Sequence, residues 1–583
     1  MPFAALLPPP PLDGEGDGNS DGGGGEVYGE ADDADEKGYG EGYGVSGAED
    51  DVDDDDVWYY GADGNRRIDL NLDRSVDRNL QRGQWNPDTP YTPLRIHVDT
   101  SYLDDLPTYY LDRAHFLKSE VLPEVVRIWR NALRVFAVPP SSPITVNDQH
   151  CPYANDDNVK AKGGVGVQNA DLVVYVAANV ASICNEGPLA AAISCQADQY
   201  DRPTVGAAVV CLDTIDLSSP KSRSKTVQVM VHEFAHILGV RSIDFAYFYD
   251  PATGLPRTSR PLAHRKQLVT CVDGAKHMIV VPDANTMVAG TSRRGNRHFE
   301  IVTPAVTTVV QNHFNCPGIT GARLENTPTN HGNCFGTHWE DRLFHSDYLT
   351  AIRGPTRQHL TPLTLALLED SGWYRPDYSA SSVPPFGHGA GCDFVYGDCV
   401  VDGKVPTYAS SYFCDEPLTP EAPLRCDSGH DFIARCDLVN YDDYPYSKPP
   451  GPTYRYFPSN PLLGGLLHTA DYCPMHSMVT TGTNAKGKFE FDCSDKELSS
   501  SVQGETFGAT SKCFNTNLSR PVCLKMRCNA IKYAVEVVFG EEESSNERVL
   551  TCPFDGAEMD LGAPKANKVA TFECPKLSSV CPE

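Results

Sequence analysis

The stretch VMVHEFAHILGV, Val229 to Val240, sets two histidines one helical turn apart, with a glutamate directly after the first. Side chains at i and i+4 of a helix share a face, so His232 and His236 can offer ring nitrogens to one ion. Zinc takes imidazole nitrogen, and a catalytic zinc keeps three protein ligands and one open position. Glu233 stands where it can accept a proton from water at such a site and pass it to a leaving amine. The chemistry this pattern implies is metal-assisted hydrolysis of an amide, with His232 and His236 as ligands and Glu233 as general base. The plainer alternative is a helix surface carrying solvated His and Glu. Phe234, Ala235, Ile237 and Leu238 count against it, because they make the helix apolar nearly all round. Polar groups on a buried helix need partners, and a metal is the simplest one.

A third ligand must come from farther along the chain. Gly239 lets the backbone leave the helix and turn back. In the metzincin pattern H-E-x-x-H-x-x-G-x-x-H another histidine follows, but Ser242 stands in that place. By residue type His264, His277, His298, His313, His331, His338, His345 and His359 are all candidates. Glu340 and Glu369 join them if the site is built from two histidines and one glutamate. Spacing alone does not choose.

The elements that must position these residues are partly visible. PLRIHVDTSYL, from Pro93, alternates well enough for a strand. FLKSEVLPEVVRIWRNALRV carries Val121, Val125, Ile128, Trp129 and Leu133 at helical spacing, despite Pro123. ADLVVYVAA and GAAVVCLD are short β-rich runs. The His-Glu-His helix is expected to start at a Ser219 cap with Pro220 in its first turn and to stop at Gly239. Thr361 to Tyr374 reads as another helix, with Thr361 as cap and Gly372 at its end. Strands and helices in this order imply an α+β fold, a mixed twisted sheet with the histidine helix against it.

Bulk properties set the surroundings. The 583 residues carry a net charge of −29, which argues against a nucleic-acid partner. No run of about 18 apolar residues suits a membrane-spanning helix. The start, MPFAALLPPPPLDGEG, is a poor signal peptide, lacking a basic region and broken by prolines. Twenty cysteines nonetheless point to an oxidising compartment. Twelve of them fall between Cys399 and Cys581 without paired C-x-x-C knuckles, so disulfides are expected rather than zinc ribbons. Asn517-Leu-Ser519 is a glycosylation acceptor sequence, in agreement. The reading is therefore extracellular or cell-surface, with an intracellular form left open by the start of the chain.

Five units are expected along the sequence. Residues 1–64 form an acidic, Gly-rich tail whose composition offers too little apolar surface to fold, and 65–92 a linker. Residues 93–239 hold the histidine helix, 240–385 the third ligand and a following helix, and 386–583 a cysteine-rich, mostly β and loop domain.

Several stretches in order resemble leishmanolysin, the surface metalloprotease family. VHEFAHILGV is similar to its zinc helix. HFNCPGITGARLEN (313–326), GTHWEDR (336–342), TLALLEDSGWY (364–374) and GCDFVYGDC (391–399) resemble later segments, as do YRYFPSNPLLGG and DYCP (471–474). The similarity covers roughly residues 93 to 580. It implies a metzincin-type catalytic domain in which an insertion separates the glycine turn from the third histidine. Loop entropy grows slowly enough with length to permit this. It implies His338, in the family's G-S-H-W context, as third ligand of one catalytic zinc ion.

Two departures stand out. The family's methionine beneath the zinc corresponds to Leu349 in SDYLTA, a near-isosteric packing change. No cysteine precedes Cys151, so latency through an upstream thiolate is not expected. The function implied is a zinc metalloendopeptidase acting on protein or peptide substrates. The substrate is expected to pair in extended form with an edge strand, for which DLVVYVAA (171–178) is the candidate. The rival reading is a catalytically weak protease-fold protein acting in cell adhesion or protein binding. It leaves room for peripheral association with a membrane or cell surface.

Overall fold

A computed structural model describes residues 90 to 581, with two short strands at 58–60 and 66–68. The larger gaps are 146–165, 328–333, 352–356, 478–491, 499–504, 540–547 and 561–570, and there are several shorter ones. The acidic tail and linker expected from the sequence lie almost wholly outside the described residues, as do Ser219 and His331.

The sheet that carries the histidine helix has four strands: β1 (Ile96–Asp99), β2 (Leu172–Ala178), β3 (Ala190–Ala197) and β4 (Pro203–Val210). Their spatial order is β1-β2-β4-β3. β1, β2 and β4 run parallel, and β3 returns antiparallel along β4. All seven residues of β2 and all eight of β4 are buried, as their near-continuous apolar runs require of strands covered on both faces.

This order corrects one expectation. β2 pairs on both sides, with β1 and with β4, so it has no free edge to receive a substrate. Asp171, just before it, is fully buried and paired with Arg95 at 2.8 Å. The outer strands are β1 and β3, and β3 is only half-buried and shifts register near Gln196.

The helix before the sheet runs on through Pro123. A helical segment from Leu111 widens into a π-type turn over Leu117–Val121 and continues as α1 (Leu122–Ala132). The wide turn accommodates the missing proline N–H and the ring behind it. α1 buries Leu122, Val125, Trp129 and Ala132, and the Trp129 indole N–H donates to the Val231 carbonyl of the next helix at 3.3 Å. That helix, α2 (Pro220–Ile237), lies directly on β4: a Cβ at Gly206 would meet the Ile237 side chain at 2.3 Å. Only glycine permits so close an approach.

Two further helices, α3 (Pro304–Phe314) and α4 (Pro362–Asp370), complete this region. Thr361 caps α4 through its side chain, accepting from the Leu363 N–H at 3.1 Å, as the sequence indicated. The Asp370 carboxylate in turn accepts from the Val306 N–H of α3 at 3.0 Å. One apolar core runs through this part, from Leu94 to Met475. A second, from Phe514 to Val580, lies under an antiparallel sheet of β5 (Ser511–Phe514), β6 (Val522–Asn529), β7 (Ala534–Phe539) and β8 (Arg548–Thr551).

Nine disulfides join described residues, closing sequence separations from 22 to 87. Most strands in the last third are short, and cross-links supply constraint that a small core does not. Helix and strand together with this many disulfides fit a leishmanolysin domain. The cross-links also fit an extracellular or secreted protein. Among the described residues no helix is long and apolar enough to cross a membrane.

Candidate active site

From Val229 to Leu238 every residue of α2 and its exit is buried; His232, Glu233 and His236 are each 8% exposed. The polar face of this helix therefore points into the protein, not into bulk solvent. The helix ends in a Schellman arrangement, with Val240 N–H donating to Ala235 O (3.0 Å) and Gly239 N–H to His236 O (3.2 Å). Gly239 has φ +110°, which only glycine adopts without strain, and a Cβ there would strike Trp373 at 2.6 Å. The turn it permits brings the Val240 carbonyl back onto His236 Nδ1 at 2.7 Å.

This makes a prediction about the turn. Gly239→Ala will cost about 1–3 kcal/mol from backbone strain alone, with the tryptophan clash adding to it. The denaturation midpoint and the metal content should fall together. A midpoint equal to the parent's would show that the turn does not depend on glycine.

The third ring comes from a different part of the chain. His338 precedes Trp339, which bridges Leu324 on one side and Thr350 on the other. Backbone bonds from Glu325 N to His338 O (2.8 Å), Trp339 N to Leu349 O (2.9 Å) and Glu340 N to Arg323 O (3.1 Å) hold the segment. The Trp339 indole donates to Thr364 Oγ1 of α4 at 3.1 Å. Cys334, four residues before His338, is tied to Cys271.

These elements bring His232, His236 and His338 together. Their ring centroids lie 4.6, 5.1 and 5.1 Å apart, and one ligating atom from each lies within 4.8 Å of the other two. The hydrogen bonds fix how each ring is protonated. His232 Nδ1 lies 2.6 Å from the Tyr348 carbonyl, and His236 Nδ1 2.7 Å from the Val240 carbonyl. A carbonyl only accepts, so both Nδ1 atoms carry hydrogen. The two Nε2 atoms face each other at 3.0 Å. In the neutral rings both are lone pairs, and they repel unless a cation or a proton lies between them. His338 Nδ1 similarly meets Glu325 Oε1 at 2.9 Å, leaving its Nε2 free.

Electrostatics agree with this picture. Burial, then the neighbouring His338 charge, pushes His236 down to about 3. For His338 burial pulls the same way, but the charge and hydrogen bond of Glu325 outweigh it and the ring is raised, with Glu233 adding to the effect. Glu233 thus lies close enough to act on the third histidine across the cluster.

Leu349 is fully buried. The turn holding it is built on Asp347, which accepts from Leu349 N–H (2.6 Å) and from the hydroxyls of Thr361 and Thr364. Burial raises the Asp347 carboxyl to about 6, against the pull of those hydrogen bonds. The start of α4 thereby fixes the turn whose Tyr348 carbonyl orients His232.

The other candidate ligands go elsewhere. His298 meets Glu300 at 3.1 Å, and His313 Nε2 meets the Phe386 carbonyl at 2.9 Å. His345 is buried 3.7 Å from Asp341, and burial lowers His359 to about 4. His264 and His277 are exposed. Glu340 accepts from the Arg342 N–H at 3.3 Å, and Glu369 accepts from the Tyr378 hydroxyl. The sequence reading missed Glu325 and the carbonyls of Tyr348 and Val240. Backbone carbonyls leave no residue-type signal, and Glu325 sits in an irregular segment with no periodicity to mark it.

Comparison with known proteins gives the site a context. The family model for leishmanolysin matches residues 99–583. A leishmanolysin-like peptidase of Caenorhabditis briggsae is 27% identical, over 86% of this chain and 86% of its own. Its counterpart in Caenorhabditis elegans is 28% identical, over 81% and 79%. A ciliated left-right organizer metallopeptidase of Mus musculus is 33% identical over a shorter part, 43% of this chain and 32% of its own. With nearly five hundred consecutive residues matched and a three-histidine cluster built from them, the chain belongs to the leishmanolysin family of metallopeptidases.

Proposed function

We propose that this protein is a zinc metalloendopeptidase of the metzincin type, with His232, His236 and His338 as metal ligands and Glu233 as general base. The observation that carries the reading is the convergence of three imidazoles whose Nδ1–H groups are already committed. Three borderline-soft nitrogen donors suit zinc and not calcium or magnesium, which take oxygen. When bound, zinc supplies Lewis acidity, acidifying water and polarising a peptide carbonyl.

The chain's own residues do the rest. The Tyr348 and Val240 carbonyls keep His232 and His236 from rotating, so their Nε2 lone pairs stay aimed at one point. Glu233, held on the same buried helix, takes the proton of the attacking water and returns it to the leaving amine. Substrate enters extended and pairs with the outer edge of β3, not with β2.

The units 93–239 and 240–385 then divide the ligands between them, two histidines and one. The cystine-rich 386–583 follows, and the protein works at the cell surface or outside the cell. The test is cleavage of a denatured protein by the purified, oxidised chain. A chelator should stop it, and zinc should restore it. Cleavage indifferent to chelator would remove the metal from the mechanism, and no cleavage by zinc-loaded protein would favour a binding role.

A further inference from the structure

We infer that Glu325 is a positioning residue for the third ligand, setting the direction of the His338 ring and strengthening its free nitrogen as a donor; the inference rests on the proposed metal triad. Two separate bonds tie the residues. The backbone N–H of Glu325 donates to the His338 carbonyl at 2.8 Å, and its carboxylate Oε1 accepts from the ring Nδ1 at 2.9 Å. The same oxygen accepts from the Thr337 N–H at 2.9 Å, so the carboxylate bridges the ligand and the residue before it.

Glu325 is fully buried, with its side chain 1% exposed, and its second oxygen, Oε2, has no hydrogen-bond partner among the described residues. A buried carboxylate is costly unless compensated. A hydrogen bond that only shaped the loop could be made by a neutral amide, without burying charge.

The three rings are thus held unequally. His232 and His236 donate to neutral carbonyls, and His338 alone donates to a carboxylate. A charged acceptor gives the stronger bond and makes the opposite ring nitrogen a better donor. That help falls on the ligand that needs it most. His232 and His236 share one helix, whereas His338 lies on irregular backbone about a hundred residues away, without a helical turn to set its ring beside the others. The buried negative charge also offsets part of the charge of a divalent ion held by three neutral rings.

The experiment measures zinc affinity of the apo-protein by competition with a chromophoric chelator. Glu325→Gln keeps the shape and an acceptor oxygen but loses the charge, and Glu325→Ala loses both. Affinity should fall about tenfold in the first and up to about a hundredfold in the second, the range seen for outer-shell partners of ligating histidines. Thermal unfolding of both apo-proteins checks that they fold. Cobalt loaded in place of zinc should show a shifted visible spectrum in Glu325→Gln, a readout that a purely structural contact would leave unmoved.

Full affinity and an unshifted spectrum in Glu325→Gln would overturn the electrostatic role. His338→Ala, measured alongside, separates the two levels. If it binds zinc as tightly as the parent, the triad itself is wrong. If it loses zinc while both Glu325 variants keep it, only the positioning role fails. In the His338→Ala background Glu325→Gln should have no further effect.

Discussion

Glu233→Ala will lower the rate of peptide cleavage by about 10²- to 10⁴-fold, the range for loss of a positioned general base, and will leave zinc content unchanged. The two halves of this result must appear together. Glu233 lies between the proposed ligands in sequence, is buried to the same degree and acts electrostatically on His338. It is nevertheless not one of the three residues whose nitrogens converge. A ligand and a base differ in what their removal does. Truncating a ligand lowers affinity, and truncating the base spares affinity and raises the barrier. The measurement pairs kcat/KM on a peptide substrate with elemental analysis of the same sample. Cleavage as fast as the parent's would exclude Glu233 as base. Loss of zinc together with activity would make it part of the metal shell.

The second large effect is expected from His338→Ala. Two rings on one helix turn then face each other across 3.0 Å without the third donor. Removal also strands Glu325, a buried carboxylate whose ring partner has gone. Leaving a buried polar group without its partner costs about 1–3 kcal/mol and more for a charged one, so both folding and metal binding suffer. Zinc should be absent after purification, and activity should fall to background. His338→Ala with a full complement of zinc would reopen the choice of third ligand. Glu340 would gain nothing from such a result by position alone, since it is already used to cap the short helix Asp341–Phe344.

The residues explain why some of this could be read from the sequence and some could not. The convergence of His232 and His236, with Glu233 beside them, was legible because a helix turns i and i+4 onto one face, and because apolar neighbours on every other side make burial of the polar face unavoidable. His338 was not legible by spacing, because an insertion of about a hundred residues erases any periodic relation to the helix. Only its resemblance to a family segment singled it out.

The choice of β2 as the substrate edge had a signal against it. LVVYVAA is a near-continuous apolar run, and such runs belong to strands flanked on both sides. The AAAISCQA of β3, with Ser194 and Gln196 among its eight residues, has the look of an edge. The helical spacing around α1 reads through Pro123, and one widened turn absorbs the proline. The cysteine count announced cross-links, but not which thiols meet. Partners such as Cys399 and Cys473, 74 residues apart, are set by tertiary packing alone. The carbonyls of Tyr348 and Val240 are invisible in principle, since every residue has one.

The central claim is that three imidazoles hold a single zinc ion on which hydrolysis depends. The most direct measurement is zinc per chain in the purified, oxidised protein, with X-ray absorption at the zinc edge reporting the ligand atoms. The account predicts one zinc per chain bound by three histidine nitrogens, lost on chelation together with peptide cleavage. A protein that cleaves peptides while holding no metal, or a zinc site built from ligands other than His232, His236 and His338, would contradict it.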